Sequence, residues 1–357
     1  MTYLALDLGA SSVTAAVWSV DGLVSVSRAP LAPSSEQDPR DWWTAVETAV
    51  GGLSADLVAV EALGCAGTAG TYLLLSRDGE PLGPAVVASV GDATVAERAG
   101  GAEDVRQRTG VLLDATSVPA RLAATSLDGV GWVVCGRDFV ASLLTGRLAS
   151  DPTVASATGF FRTDGTLDAH VCDAAGVDPA WLPPQRGSTE PLGDLLLPAA
   201  RRLGLRARIP VVTGATSETC AVEGIGALPM APLVTWGPPV VVSVPVEPPA
   251  GPLPPGVGLR AGGRSYQVYE AVASDADDVA RIVALLAPDA KFAYAAGPAD
   301  RAFAAALPSA LGLPVAHRRH GEPVTLGLAM LVATGAGGHL DRDVVDPVAY
   351  VDEPRFV

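Results

Sequence analysis

Apolar residues at the start of the chain come in short runs separated by small or turn-forming residues. Tyr3 to Leu8 is followed by Gly9-Ala10-Ser11-Ser12, Val13 to Ser19 by Asp21-Gly22, and Leu23 to Ser27 closes the series. Runs of this length broken by a small-residue turn and an Asp-Gly turn predict an antiparallel meander of three strands. Asp38-Pro39-Arg40-Asp41 then supplies a capping residue with proline at the first helical position. The helix it starts places Trp42, Val46, Val50 and Leu53 on one face. Leu57 to Leu63 reads as a buried strand. From Thr71 to Arg208 the pattern is less regular, with helical stretches at Arg137 to Leu144 and Leu195 to Leu203. Ile209 to Gly214 reads as another strand, and a helix from Ser217 to Gly224 follows it.

After Pro229 the rhythm restarts. Leu233 to Val246 reads as two strands around a turn at Gly237-Pro238-Pro239, and the Pro/Gly-rich stretch Pro245 to Gly263 reads as a loop. Ser274 with Asp277 is expected to cap a helix through Leu286. Phe292 to Ala296 reads as a strand, Ala302 to Leu311 as a helix, and Leu313 to Ala316 with a helix from Glu322 to Thr334 closes the unit. Two units that each open on a hairpin predict a duplicated α/β architecture of mixed sheets flanked by helices, divided at 1–230 and 231–357.

Composition narrows the chemistry. The chain has 357 residues, of which 49% are hydrophobic and 18% charged, as expected of a folded protein with a substantial core. No apolar run approaches the ~18 residues of a membrane span, and Met1-Thr2-Tyr3 places no basic region ahead of an apolar stretch. With 24 basic and 39 acidic residues the net charge is −15, which repels nucleic-acid backbones and anionic lipid, so neither is an expected partner. Lys291 is the single lysine and follows no glycine-rich run, which excludes a P-loop. Cys65, Cys135, Cys172 and Cys220 are widely spaced, the pattern of reduced, buried thiols in a cytoplasmic protein and not of a zinc site. His317 and His320 around Arg318-Arg319 read as a surface loop, and the Arg201, Arg202, Arg206 and Arg208 cluster as a solvated helix end.

The hairpin with Asp-x-Gly at its turn, repeated in two units, resembles the actin-like, ribonuclease H-like ATPase superfamily. In detail the chain is similar to the FGGY carbohydrate kinases of the xylulokinase type. Asp7-Leu8-Gly9-Ala10-Ser11-Ser12 resembles their first phosphate motif and Gln37 to Trp43 their first helix. Asp78 to Ala85 resembles the approach to the sugar site. Leu144-Thr145-Gly146, Ser150-Asp151 and Ala155-Ser156 resemble the middle segment, and Leu182-Pro183, Gly204-Leu205, Pro210-Val211-Val212 and Gly214 continue in order. The resemblance implies two actin-like domains around a cleft. It further implies Mg-ATP as cofactor, a small sugar or polyol as substrate, Asp7 at the hydrated magnesium, and backbone N–H groups near Gly9, Ser11 and Ser12 at phosphate.

Several positions depart from the family pattern. The Trp-Asn-Asp-x-Arg sugar motif falls on Ala88, Ser89 and Asp92, so an ordinary sugar pocket is not expected; Asp92 reads as a hydroxyl ligand or as a solvated loop carboxylate. The catalytic aspartate falls on Ser217, which cannot serve as a base at neutral pH. Glu218 beside it reads as a substitute base or, turned roughly 100° along the helix, as a first-turn carboxylate that favours the helix dipole. The second phosphate turn falls on Gly237-Pro238-Pro239, where the prolines remove donors, and the adenosine turn keeps only Gly297. Gly237 and Gly297 are 60 positions apart, and no Gly-Glu-Arg-x-Pro run occurs, so material over the nucleotide cleft is expected to be missing. These departures imply weak or lost phosphotransfer, or else a non-catalytic sugar-binding or regulatory protein. A shortened second unit implies a homodimer or partner complex that covers it.

Overall fold

The computed structural model describes residues 1–235, 240–247, 252–263, 266–297 and 301–354. The opening meander is β1 (Thr2–Leu8), β2 (Ser12–Ser19) and β3 (Gly22–Pro30). After β4 (Glu36–Gln37) comes α1 (Pro39–Gly51), capped by Asp38, whose carboxylate accepts from Arg40 N at 2.9 Å. The strand expected from Leu57 begins later. Leu57–Ala59 is a single tight turn held by Asp56, and β5 is Ala62–Gly67. The middle of the chain adds β6 (Tyr72–Leu75), β7 (Ala85–Val86), α2 (Val95–Arg98), α3 (Ala102–Thr109), α4 (Val118–Ala123) and β8 (Trp132–Cys135). Then follow α5 (Gly136–Thr145), α6 (Pro152–Thr158), α7 (Ala169–Ala175), β9 (Pro191–Asp194), α8 (Leu197–Leu203), β10 (Pro210–Val212) and α9 (Ser217–Ile225).

The first main sheet has the order β3-β2-β1-β5-β10-β9, with β1, β5 and β10 parallel. Its central strand has no polar face because it is covered on both sides: Leu4 and Leu6 enter one core with α1 and α5, while Tyr3 and Ala5 enter another with Trp18. A small sheet, β4-β7-β6-β8, and a satellite core around Phe160 and Val171 form the less regular middle segment.

The rest of the chain forms β11 (Leu233–Thr235), β12 (Val240–Val246), β13 (Val257–Ala261), β14 (Gln267–Ala273), α10 (Ala276–Leu286), β15 (Ala293–Ala296), α11 (Arg301–Leu311), β16 (Val315–Arg318), α12 (Pro323–Gly335), α13 (Arg342–Val345) and β17 (Val348–Asp352). The strands make a second, separate sheet, β13-β14-β12-β11-β15-β16-β17. Two expectations change here. Part of the stretch read as a loop is strand: Pro245 lies within β12 and pairs with Val268, and 257–261 is β13. The proline is tolerated because β11 reaches only to Ser243, which leaves an open edge beside it. The cap of α10 is Asp275, which accepts from Asp278 N at 2.8 Å; Ser274 N and Oγ bond to Asp278 in return, a reciprocal cap shifted by one residue from the expected one.

α12 does not close the second unit as its place in the sequence suggests. It packs against β1, β5 and α9, burying Leu326, Leu328 and Val332 beside Tyr3 and Ala5. The opposite face of α9, through Ala221, Val222 and Ile225, meets the second sheet at Leu233, Val268 and Tyr294. The pair α9–α12 is therefore the joint between the sheets. α10 and α11 cover the other face of the second sheet around Val242, Val279 and Leu307. Among the described residues no helix is long and apolar enough to cross a membrane.

Candidate active site

β1, β5 and β10 end side by side: β1 at Asp7 and Leu8, β5 at Gly67, and β10 in the 213–216 turn that enters α9, where Thr216 bridges to Gly67. In such sheets the carboxyl ends of parallel strands form a natural crevice, and a helix N-terminus faces into it. A buried network fixes this turn. Arg137 donates to the carbonyls of Cys65 and Thr213 and to Asp151 Oδ1 at 2.5 Å. Asp151 also accepts from Ser188 Oγ at 2.6 Å and Thr153 Oγ1 at 3.0 Å, and Thr153 Oγ1 accepts from Thr216 N at 2.8 Å. The charges of Arg137 and Asp151 are thus matched where neither is exposed.

Thr216 caps α9, its hydroxyl accepting from Thr219 N at 3.2 Å, so Ser217 is the first helical residue. Ser217 Oγ donates to Asp7 Oδ1 at 2.6 Å, which brings the two sequence-predicted residues together. Burial raises the Asp7 carboxyl above its usual range; the Ser217 hydrogen bond and Arg28 oppose this, and Glu322 adds to it. Arg28 on β3 is paired with Glu322 at the start of α12.

Glu218 is the second residue of α9. Its side chain opens to solvent in the cleft, yet the protein crowded around it pushes its carboxyl up to about 7, with Glu270 and then Asp7 adding to the rise and Arg260 opposing it. Glu218 thus lies within electrostatic reach of Arg260 on β13 and Glu270 on β14, which form an ion pair at 3.4 Å. Burial raises Glu270 as well, against the pull of Arg260. Arg28, Arg260, Glu270 and Glu322 were missing from the residues singled out in the sequence. The available signal was Glu270, a carboxylate within the apolar run Val268 to Ala273.

Other predicted positions lie in different settings. Gly9 N donates to Ser12 O at 3.0 Å, and Ser11 O accepts from Leu31 N at 2.8 Å, so these groups close the hairpin; Ser12 starts β2 opposite Pro30. Ala88 and Ser89 are exposed. The Asp92 carboxylate is taken up by Thr94 N and Oγ1 at 2.9 and 2.7 Å and by Arg98 at 2.7 Å; the Thr94 hydroxyl, then Arg98, hold it down at about 2. Gly237 lies outside the described residues. Gly297 is exposed, just after β15, whose Ala296 pairs with Thr235 at the end of β11. The four cysteines are buried and unbridged. No group of three or more metal-ligating side chains is present among the described residues.

Known proteins share this fold. Over 99% of its length the chain superposes on the xylulose kinase from Rhodospirillum rubrum with a TM-score of 0.87 at 17% identity, covering 94% of that structure. It superposes on the Plasmodium falciparum glycerol kinase, solved with ADP, with a TM-score of 0.82 at 13% identity, covering 99% of this chain and 94% of that one. In sequence, a xylulose kinase from Klebsiella pneumoniae is 34% identical over 176 residues, 44% of this chain and 36% of the relative. One from Escherichia coli K12 is 27% identical over 248 residues, 63% of this chain and 50% of the relative. The matched region thus spans half or less of these curated relatives. The sequence pattern described as the N-terminal domain of the FGGY family of carbohydrate kinases matches residues 2–224, well over half of the chain, and the chain belongs to that family.

Proposed function

We propose that the chain is a carbohydrate kinase relative whose cleft takes a small sugar or polyol, xylulose-like by its sequence relatives, and in which phosphotransfer is weak or lost. The observation that carries this reading is the Ser217–Asp7 hydrogen bond at 2.6 Å. Where the family resemblance calls for a carboxylate base there is a hydroxyl, and its proton is directed at Asp7 and away from a sugar hydroxyl. A serine hydroxyl does not accept a proton at neutral pH without a stronger base behind it.

The described residues fit Mg-ATP poorly. Gly9 N–H is spent on the hairpin, and the nearby cations Arg28 and Arg260 are each engaged by a glutamate. The carboxylates Asp7, Glu218, Glu270 and Glu322 would repel a polyanion, and the acceptor-activating group that the resemblance calls for is absent. Magnesium bound to Asp7 would supply charge neutralisation at phosphate, but only after displacing the Ser217 contact. Titration calorimetry with Mg-ATP, alongside a coupled assay over pentoses, hexoses and polyols, tests the reading. It expects weak or no nucleotide binding and turnover near background. Robust ATP-dependent phosphorylation that Asp7→Ala abolishes would overturn it.

One observation favours a second reading, a divergent kinase: Glu218 stands in the cleft with a carboxyl at about 7, the range suited to a general base at neutral pH. In that reading Glu218 takes the acceptor's proton in place of the aspartate that the resemblance calls for.

A further inference from the structure

β13 is an edge strand, paired with β14 on one side only. An exposed edge presents unpaired N–H and C=O groups on alternate residues. Here that outer edge is sealed by groups from the half of the molecule built on the first sheet. Val257 O accepts from Arg106 Nη1 at 2.5 Å, Leu259 N donates to Gly110 O at 2.9 Å, and Ala261 N donates to Ser156 Oγ at 2.9 Å.

The strap leading into β13 is held the same way. Arg106, only 2% exposed, also donates to Pro254 O at 2.9 Å and Leu253 O at 3.0 Å while Glu103 braces its guanidinium at 2.6 and 2.9 Å. Gln107 exchanges two bonds with the backbone of Leu253, at 2.8 and 2.9 Å. Beyond β13, Gln267 Nε2 donates to Thr163 O at 2.8 Å. The backbones approach so closely that a Cβ on Gly110, where φ is +73°, would lie 2.2 Å from Leu259 O. One residue belongs to both this seam and the cleft: Arg260 donates to Gly110 O at 2.6 Å and pairs with Glu270.

The two halves are therefore joined at the α9–α12 pair and again along β13. We propose that the β13 edge and the 253–257 strap form a clasp, pinned by Arg106, that holds the halves together and opens as a unit while the α9–α12 joint and the first sheet stay intact. Because Arg260 bonds Gly110 O in the seam and pairs with Glu270, opening the clasp disturbs that pair. A buried guanidinium that bonds three carbonyls at once gives the clasp its strength, because removing it takes a charged donor from all three and leaves Leu253 O only Gln107 and Pro254 O only Val257 N. The proposal holds whether or not the cleft transfers phosphate.

Hydrogen exchange of the ligand-free, full-length protein tests it. In the wild type the amides of Leu259 and Ala261 are expected to exchange at least a hundredfold more slowly than unprotected amides, though they lie on a sheet edge. Arg106→Ala is expected to speed exchange across 253–261 by tenfold or more, leave β1 and β5 unchanged, and increase the radius of gyration in solution scattering. Ser156→Ala is expected to speed Ala261 alone. Fast exchange of this edge in the wild type overturns the proposal, as does an Arg106→Ala protein in which β13 loosens only in step with β1 and β5. If Arg106→Ala fails to fold, Ser156→Ala and Gln107→Ala decide, and unchanged exchange in both of them rejects the clasp.

Discussion

Ser217 and Glu218 are neighbours in the chain with different surroundings, the first bonded to Asp7 and the second within reach of the charges of Glu270 and Arg260. This division gives the second functional reading a sharp test. If Glu218 is a base, whatever phosphotransfer the protein has rises with pH through about 7, as the carboxyl loses its proton. Glu218→Gln then removes that limb and lowers kcat by a factor of about 10² to 10⁴, which a pH–rate profile of both proteins would show. An unchanged profile in Glu218→Gln excludes the role. Asp7 and Ser217 were singled out in the sequence through the family resemblance, and the structure sets Asp7 near the end of β1 and Ser217 just beyond the turn that follows β10. Glu270 and Arg260 were not, since their place depends on the pairing of β13 with β14, and β13 was hidden in a stretch rich in proline and glycine. Asp92 read in the sequence as a hydroxyl ligand or a solvated loop carboxylate, and its local partners Thr94 and Arg98 were not visible there.

Among the elements, the crossing of α9 and α12 is the tightest contact of the joint. A Cβ on Gly224 would lie 1.9 Å from Pro323 O, and one on Gly327 1.9 Å from Cys220 O, both backbone atoms that cannot swing aside. Gly224→Ala is expected to destabilise the protein by about 3 kcal/mol, the upper range for overpacking. Gly51→Ala at the end of α1, where nothing lies within 4 Å of the new methyl, is expected to be neutral or to stabilise by up to ~1 kcal/mol. Urea unfolding of the two variants makes the comparison, and equal midpoints would refute it. The hairpins, α1 and α9 were legible because their turn residues, caps and apolar spacing agree. The home of α12 was not: it is apolar all round, and a helix without a polar face gives no sign of which sheet it joins.

For the whole molecule, the perturbed carboxyl groups set the pH of greatest stability. Glu218 at about 7 and fully buried Asp138 at about 6, both pushed up chiefly by burial, hold their protons more tightly in the folded protein than in the unfolded chain. Their contribution is complete below about pH 4 and is lost as the pH rises through 6 and 7; for Asp138 this is of order 3 kcal/mol. Glu103 and Asp92, held down at about 2 by hydrogen bonds with Arg106 and Thr94, act in the opposite sense, stabilising above the usual carboxylate range and failing only in strong acid. Repulsion among the 39 acidic side chains also grows toward neutral pH. The melting temperature is accordingly expected to peak near pH 5 and to fall by several degrees by pH 8, as thermal scans in dilute protein would show; a melting temperature that climbs over that interval contradicts the assignment. The position of α12 also bears on how the molecule is made. Tyr3 and Ala5 leave the ribosome long before the side chains that cover them, Leu328 and Val332, which lie more than 300 positions later in the chain. The first sheet must therefore wait with part of one face bare until α12 has been synthesised, and β1 becomes part of a finished structure only when that helix is delivered to it.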